Sequence, residues 1–261
     1  MIKPEGYKRL GEILDAMHRA KLSLSNLRMV RLTEAQAIEF VGDNQLTPRA
    51  QSFLAGPVTA VEVVGENAPS KIRHILHQIE TKSSNNGGQL FAASTQTRTH
   101  QQEIDFFFKN RSLGSTAFFR DCSVCVVKPH AVVNGNTGYV LSRLSNAGFE
   151  ISALQLFSLD KSASAEFLEV YQGVLPEYNA LVNEMQSGPC VAIEVRLAEN
   201  VVPSLREICG PADPTIAKVI RPNTIRADIG ASKVQNGVHC TDLEEDGTLE
   251  SEFFFSILQR Q

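Results

Sequence analysis

No surplus of positive charge runs through this chain: 29 aspartates and glutamates outnumber 25 lysines and arginines, for a formal net charge of −4. That balance excludes an overall basic field for gripping nucleic acid or an anionic membrane surface. Long apolar runs are also missing. Stretches such as CVAIEV fall far short of the roughly 20 residues that a membrane-spanning helix needs. The opening MIKPEGYKRL lacks the apolar core of a signal peptide. Cysteine is absent from the first half; Cys122, Cys125, Cys190, Cys209 and Cys240 all lie in the second. An odd number at this low density points to reduced thiols in an intracellular protein rather than to a disulfide scaffold. Cys122 and Cys125 have the spacing of a metal or redox pair, but CSVCVVKP reads as a buried strand and no second Cys/His pair completes a zinc site. They are read as packing residues. A Gly-rich phosphate loop is missing too, so any phosphate would be gripped by side chains.

What the chain does have is an internal repeat. MIKPEG (1–6) matches VVKPHA (126–131) at an offset of 125, and GPVTAVEVVGEN (56–67) matches GPCVAIEVRLAEN (188–200) at 132. EIDFFF (103–108) matches ESEFFF (250–255) at 147. Two copies of one domain are expected, at 1–112 and 120–261. The growing offset means that the second copy is 15 residues longer between Gly-Pro and the phenylalanine triplet. The extra length falls in ICGPADPTIAKVIRPNTIRADIGASK, where the first copy has only the polar, flexible-looking TKSSNNGGQLFAAS. In the first copy, MIKP leaves only two residues of strand before Lys3. That leaves two readings, an earlier start of the chain or a strand completed by a partner.

Strand and helix patterns alternate in the second copy. SVCVVKP reads as a strand, GNTGYVLSRLSNAGF as a helix and EISALQLFSL as a strand. SASAEFLEVYQGV and LPEYNALVNEMQSG read as helices, CVAIEVRL as a strand, and NVVPSLREICG as a helix. A short strand before Asn236 and a late helical turn at ESEFFFSIL complete the set. This is βαββαβ, so the expected class is α/β (α+β): two tandem ferredoxin-like domains, each an antiparallel sheet covered by helices. The first copy follows through RLGEILDAMHRAKL, SNLRMVRL, TEAQAIEFVG and APSKIRHILHQIE.

One histidine stands out, in VQNGVHCTDLEEDG. His239 could be a surface residue, a metal ligand or a nucleophile. The only other histidine of the second copy, His130, is distant in sequence and adjoins Pro129, so no metal ligand set forms. A nucleophile needs an acid to orient it and cations to receive charge. Glu250, eleven residues on, can orient the ring, and Lys128, Arg206, Arg221 and Arg226 lie on elements that this fold brings to one edge. A histidine amid cations suits phosphoryl transfer. His239 lies 14 residues before Phe253; the same step back from Phe106 reaches Ala92. His100 is out of that register, on the helix TRTHQQEIDFFF.

VVKPHAV, SGPCVAIEV, GPADP, TIR and NGVHCTD occur in an order and spacing that resembles the nucleoside diphosphate kinase family. The likeness covers the whole second copy, and the first through its Gly-Pro strand and last helix. The doublet, and the grouping of ICGPADP with VHCTDLEEDG, is similar to the tandem-domain branch associated with cilia and centrosomes. The resemblance implies that His239 takes the γ-phosphate in a ping-pong cycle and that Glu250 orients it. It implies phosphate contacts for Lys128, Arg206 and Arg226, and Asn236 near the sugar. Tyr171 matches the tyrosine beside the histidine, and Tyr178 approximately the aromatic that stacks on the base. It further implies nucleoside di- and triphosphates as ligands, Mg²⁺ bridging their phosphates with little protein ligation, and no metal held by side chains alone. The tandem branch implies tubulin or axonemal microtubule proteins as partners, a cytoplasmic, cytoskeletal and ciliary location, and a pseudo-dimer of the two copies. Its structural alternative is a doublet-microtubule scaffold without catalysis.

Three departures bear on activity. The family's Gly-Ser after the histidine is Cys240-Thr241, and a threonine among its phosphate contacts is Ala212. One lost hydrogen bond to a charged group costs roughly 1.5–3 kcal/mol, which implies weak rather than absent activity in the second copy. The first copy keeps Lys3 and Arg73 but not the histidine or the loop, and is expected to be inactive.

Overall fold

The computed structural model describes residues 1–82, 90–91 and 97–260. Contacts divide the chain into two compact units, Met1–Thr116 and Ala117–Gln261.

In the second unit the strands are β3 (Cys122–Val127), β4 (Glu150–Phe157), β5 (Cys190–Arg196) and β6 (Val238–Cys240), all paired antiparallel in the order β4-β5-β3-β6. That order is the ferredoxin-like arrangement. Every residue of β3 is buried, as an unbroken apolar run at the centre of a covered sheet should be. Helices Thr137–Asn146 and Val201–Cys209 follow β3 and β5, and Lys161–Phe167 and Tyr178–Met185 lie between β4 and β5. Asp160 starts the first of that latter pair by accepting the Ala163 amide on its side chain. Phe157, Phe167 and Phe253–Phe255 fill the core around Val124 and Val126.

The sequence reading needs two corrections. The short strand comes after Asn236, not before it, and contains His239. Gly237, at φ +89, turns the chain there, so residues 233–235 cannot run straight into β6. The 15-residue excess also has structure of its own: helices Pro214–Ile220 and Ile225–Ile229, the first capped by Asp213.

The first unit contains β1 (Ser23–Val30) and β2 (Val58–Val64), with helices Leu10–Arg19, Glu34–Val41, Ala68–Lys82 and Thr97–Ile104. A capping box, in which Thr33 and Gln36 exchange side-chain bonds, opens the second of these helices. His100 lies on the last, as expected.

The duplication holds down to an irregularity. β1 and β2 slip register between Leu24 and Asn26, pairing Asn26 with Glu62. β4 and β5 slip between Ile151 and Ala153, pairing Ala153 with Glu194. A bulge kept at equivalent positions is a feature of the fold rather than a defect. The first strand of the first unit survives as Ile2, bridged to Thr59 and Phe91. Those bridges reproduce the pairing of Val127 with Val191 and Val238.

Candidate active site

β6 hangs on the free edge of β3, with Val126 opposite His239 and Cys125 opposite Cys240. This pairing fixes the histidine backbone. Its ring is held by three neighbours. Nε2 lies 2.9 Å from Glu250 Oε1, Phe167 presents its edge at 4.8 Å, and Tyr171 lies at 6.5 Å between centroids. A carboxylate accepts, so Nε2 carries the proton and Nδ1 keeps the lone pair. His239 is 6% exposed. Burial disfavours its charge, but the adjacent Glu250 outweighs burial and holds its pKa above the usual value.

Glu250 is itself fixed. Thr241 donates its hydroxyl to Glu250 Oε2 at 2.8 Å, and the same hydroxyl accepts the Val124 amide at 2.9 Å. The serine-to-threonine departure therefore leaves the hydroxyl in use. Its extra methyl sits in a fully buried position. Cys240 is buried too, within hydrogen-bond reach of Cys209 and 3.5 Å from Arg226 Nη2. The Cys209 thiol and burial push the Cys240 pKa well above its usual value, so this thiol packs under the strand rather than presenting a thiolate.

The four phosphate-type cations divide. Lys128 ends β3, is 5% exposed and donates Nζ to the Val234 carbonyl at 2.9 Å. Burial, then Arg226, lowers its pKa to about 7. Arg226 spends its guanidinium on the Gly210 and Val238 carbonyls at 2.8 and 3.2 Å, next to the histidine strand. Arg206 pairs with Asp242, whose other oxygen takes the Tyr171 hydroxyl at 2.5 Å. Burial opposes charge on Asp242, but the bonds from Tyr171 and Arg206 hold its pKa below the usual range. Arg221 is half-exposed and pairs with Glu207 at 3.1 Å, outside this group.

Asn236 is 4% exposed and gives Nδ2 to the Ala212 carbonyl at 2.9 Å. Its Oδ1 is buried without a protein partner, a position that suits a hydroxyl donor from a ligand. Tyr178 packs against the core, with its hydroxyl 3.5 Å from the Ala165 carbonyl. Among the described residues no hydrogen bond or ring contact joins it to His239. The structure thus gathers His239, Glu250, Lys128, Arg206, Arg226, Asn236 and Tyr171, and leaves Tyr178 aside.

Two participants escape a reading of the sequence. Asp242 occupies Arg206 and Tyr171 together; its place three residues after His239 was the available signal. His130, set aside as distant, stands behind the 234–237 loop, its Nε2 accepting the Gly237 amide at 3.1 Å.

In the first unit Lys3 donates its amide to the Leu90 carbonyl, as Lys128 does to Gly237. Leu90 and Phe91 are therefore the counterparts of Gly237 and Val238. Ala92, the expected counterpart of His239, lies outside the described residues, as do residues 83–89 of the polar segment. The Lys3 ammonium sits over the Phe53 ring, 5.4 Å from its centroid, and Arg73 is exposed.

Among the described residues no three histidine, cysteine or carboxylate side chains converge to hold a metal ion. Nor is any helix long and apolar enough to cross a membrane.

The sequence profile described as nucleoside diphosphate kinase matches residues 1–113 and again 121–259. Nucleoside diphosphate kinase homolog 7 of Mus musculus is 38% identical over 99% of this chain and 70% of its own length. The Rattus norvegicus protein of that name is 36% identical over the same shares. The crystal structure of Aquifex aeolicus nucleoside diphosphate kinase superposes with a TM-score of 0.50 at 36% identity. It covers 53% of this chain and 97% of that one, so a single-domain enzyme accounts for about half of the molecule. The chain belongs to the nucleoside diphosphate kinase family and carries two copies of its ferredoxin-like domain in tandem.

Proposed function

We propose that the second unit is a nucleoside diphosphate kinase working through phospho-His239, and that the first unit does no chemistry. The observation that carries this reading is the single orientation of the His239 ring. Glu250 takes the Nε2 proton at 2.9 Å, which leaves the Nδ1 lone pair as the nucleophile. Nδ1 attacks the γ-phosphorus of a nucleoside triphosphate, the bond from that phosphorus to the β,γ-bridging oxygen breaks, and the diphosphate leaves with the electron pair. In the second half-reaction a terminal oxygen of another nucleoside diphosphate attacks the same phosphorus, and the P–N bond breaks to return Nδ1 its pair. Imidazolium character rises while phosphate is on the ring, and Glu250 is placed to stabilise it.

Lys128, Arg206 and Arg226 would neutralise the phosphate oxygens, and Arg206 would exchange Asp242 for phosphate as nucleotide binds. Asn236 Oδ1 would accept a ribose hydroxyl. The donor set fits Mg²⁺ only as part of the nucleotide complex, since Glu250 is engaged by His239 and Thr241 and Asp242 by Arg206 and Tyr171. Mg²⁺ would supply charge neutralisation on the phosphates.

Incubation with γ-labelled ATP should give a base-stable, acid-labile phosphoprotein, and His239→Ala should abolish the label. Label that survives this substitution, or none on the intact protein, would sink the reading. A second reading, favoured by the intact folded core of the first unit, makes the protein a scaffold in ciliary microtubule assemblies. Co-sedimentation with axonemal microtubules through high salt supports it, and a wholly soluble pool rejects it.

A further inference from the structure

We infer that His130 is a positioning residue for the loop Val234–Gly237, acting as a neutral imidazole with its proton on Nδ1. The inference rests on the reading of this site as a nucleotide site, because the loop presents both Asn236 and the carbonyl that holds Lys128. Four contacts define the arrangement. His130 Nδ1 lies 2.6 Å from Glu184 Oε1, and the His130 backbone amide donates to that oxygen at 3.1 Å. Gln235 Nε2 donates to the other oxygen, Glu184 Oε2, at 3.1 Å. The Gly237 amide donates to His130 Nε2 at 3.1 Å.

An amide can only donate, so Nε2 must hold a lone pair, and the ring proton lies on Nδ1 facing the carboxylate. This is the reverse of the His239 tautomer, and each is set by the partner of the other ring nitrogen. The side chains are nearly enclosed, 10% exposed for His130 and 5% for Glu184. A buried amide left without an acceptor costs about 1–3 kcal/mol, so the loop depends on this ring.

What the loop carries follows directly. Val234 takes the Lys128 ammonium at 2.9 Å, Gly237 takes the Lys128 amide at 3.0 Å, and Asn236 lies between them. β6 and His239 begin at the next residue. The charged groups facing His130 are Glu184, from the helix Tyr178–Met185, and Lys128, at the end of β3; Gln235 faces it from the loop.

The first unit supplies a control. The amide of Leu90, the counterpart of Gly237, finds its acceptor in the Glu80 carboxylate at 3.2 Å. The repeat places Glu5 where the second copy has His130. Both units satisfy this amide, by unrelated side chains, and only the unit with the nucleotide-type loop uses a histidine.

Two substitutions separate the roles. His130→Asn keeps a donor toward Glu184 and removes the acceptor for Gly237; His130→Gln places an oxygen near the lost Nε2. Three measurements are needed on the full chain: histidine ¹⁵N NMR, hydrogen exchange of residues 234–237, and the affinity for ADP. The wild-type ring should show a protonated Nδ1 and an unprotonated Nε2. His130→Asn should speed exchange of the Gly237 amide at least tenfold and weaken ADP about tenfold, with thermal unfolding little changed. His130→Gln should recover most of both. Unchanged exchange in His130→Asn, or a ring protonated on Nε2, overturns the inference. If exchange responds as expected while the wild type binds no ADP, the positioning role stands and the nucleotide reading falls.

Discussion

The two units share a bulge, an edge pairing and an aromatic core, yet they use one equivalent glutamate differently. In the first, Glu62 is partly buried and its carboxylate takes the Asn26 side chain at 2.9 Å. In the second, Glu194 is fully buried and accepts four donors. These are the Phe118 and Phe119 amides at 2.7 and 3.1 Å, and the Ser152 and Ser251 hydroxyls at 2.6 and 2.5 Å. Ser251 adjoins Glu250, so a carboxylate at the far end of β5 helps set the helix that holds the His239 partner. The difference teaches that the copies diverged in how polar groups are placed under a common apolar frame. The frame alone does not make a site.

The sharpest way to break the comparison is to remove the equivalent lysine from each unit. Lys128→Ala takes an ammonium from the phosphate basin, where no other lysine joins the gathered residues. Loss of a buried charge contact to phosphate should weaken nucleotide binding or turnover about 100-fold or more. Lys3→Ala removes an ammonium seated over Phe53 and should leave nucleotide binding unchanged. Titration with a fluorescent ADP analogue measures both. An equal response to the two substitutions would mean that the first unit also binds nucleotide.

Next in size is the glutamate pair. Glu194→Ala strands two backbone amides and two hydroxyls in the interior, and should cost about 3 kcal/mol or more of the second unit's stability. Glu62→Ala removes one partly exposed bond and should cost about 0.5–1 kcal/mol. Urea unfolding followed by a probe in each unit reads the two changes separately. Losses of similar size would show that the buried network carries no special weight.

Much of this was legible in the sequence, for a physical reason. The repeat, the strands and the long helices follow from apolar periodicity and Gly-Pro punctuation, which the chain writes locally. His239, Glu250, Lys128 and Arg226 could be nominated because each stands at a fixed step from a strand end or an aromatic triplet. The remainder depends on contacts across the fold. The true place of β6 hangs on the positive φ of Gly237, which the short run VQNGV does not announce. Tyr178 was assigned from spacing across a segment whose length differs from the family's, and its ring went to the core instead. His130 and Glu184 are 54 residues apart, and no spacing rule joins them.

The smallest effect concerns protons. Lys128 is pushed from its usual 10.5 to about 7 by burial and then by Arg226, so folding expels its proton between those values. The unfolded chain binds the extra proton there, and the sign follows. Lys128 weakens the fold fully below pH about 7, progressively less as pH rises, and not at all above about 10.5. Its contribution to the slope approaches about 1.4 kcal/mol per pH unit inside that window. Lys128→Met should flatten the slope, whereas Lys3→Met should not. The same argument reaches the ligand. A polyphosphate beside Lys128 favours its charged form, so at pH 8 nucleotide binding should draw in up to one proton. Calorimetric titration with ADP in two buffers of different ionisation enthalpy measures that uptake. Wild type should show the difference between buffers, and Lys128→Met should lose it. Uptake that survives Lys128→Met would place the proton on another group, and none in the wild type would mean that the lysine is already charged before nucleotide arrives.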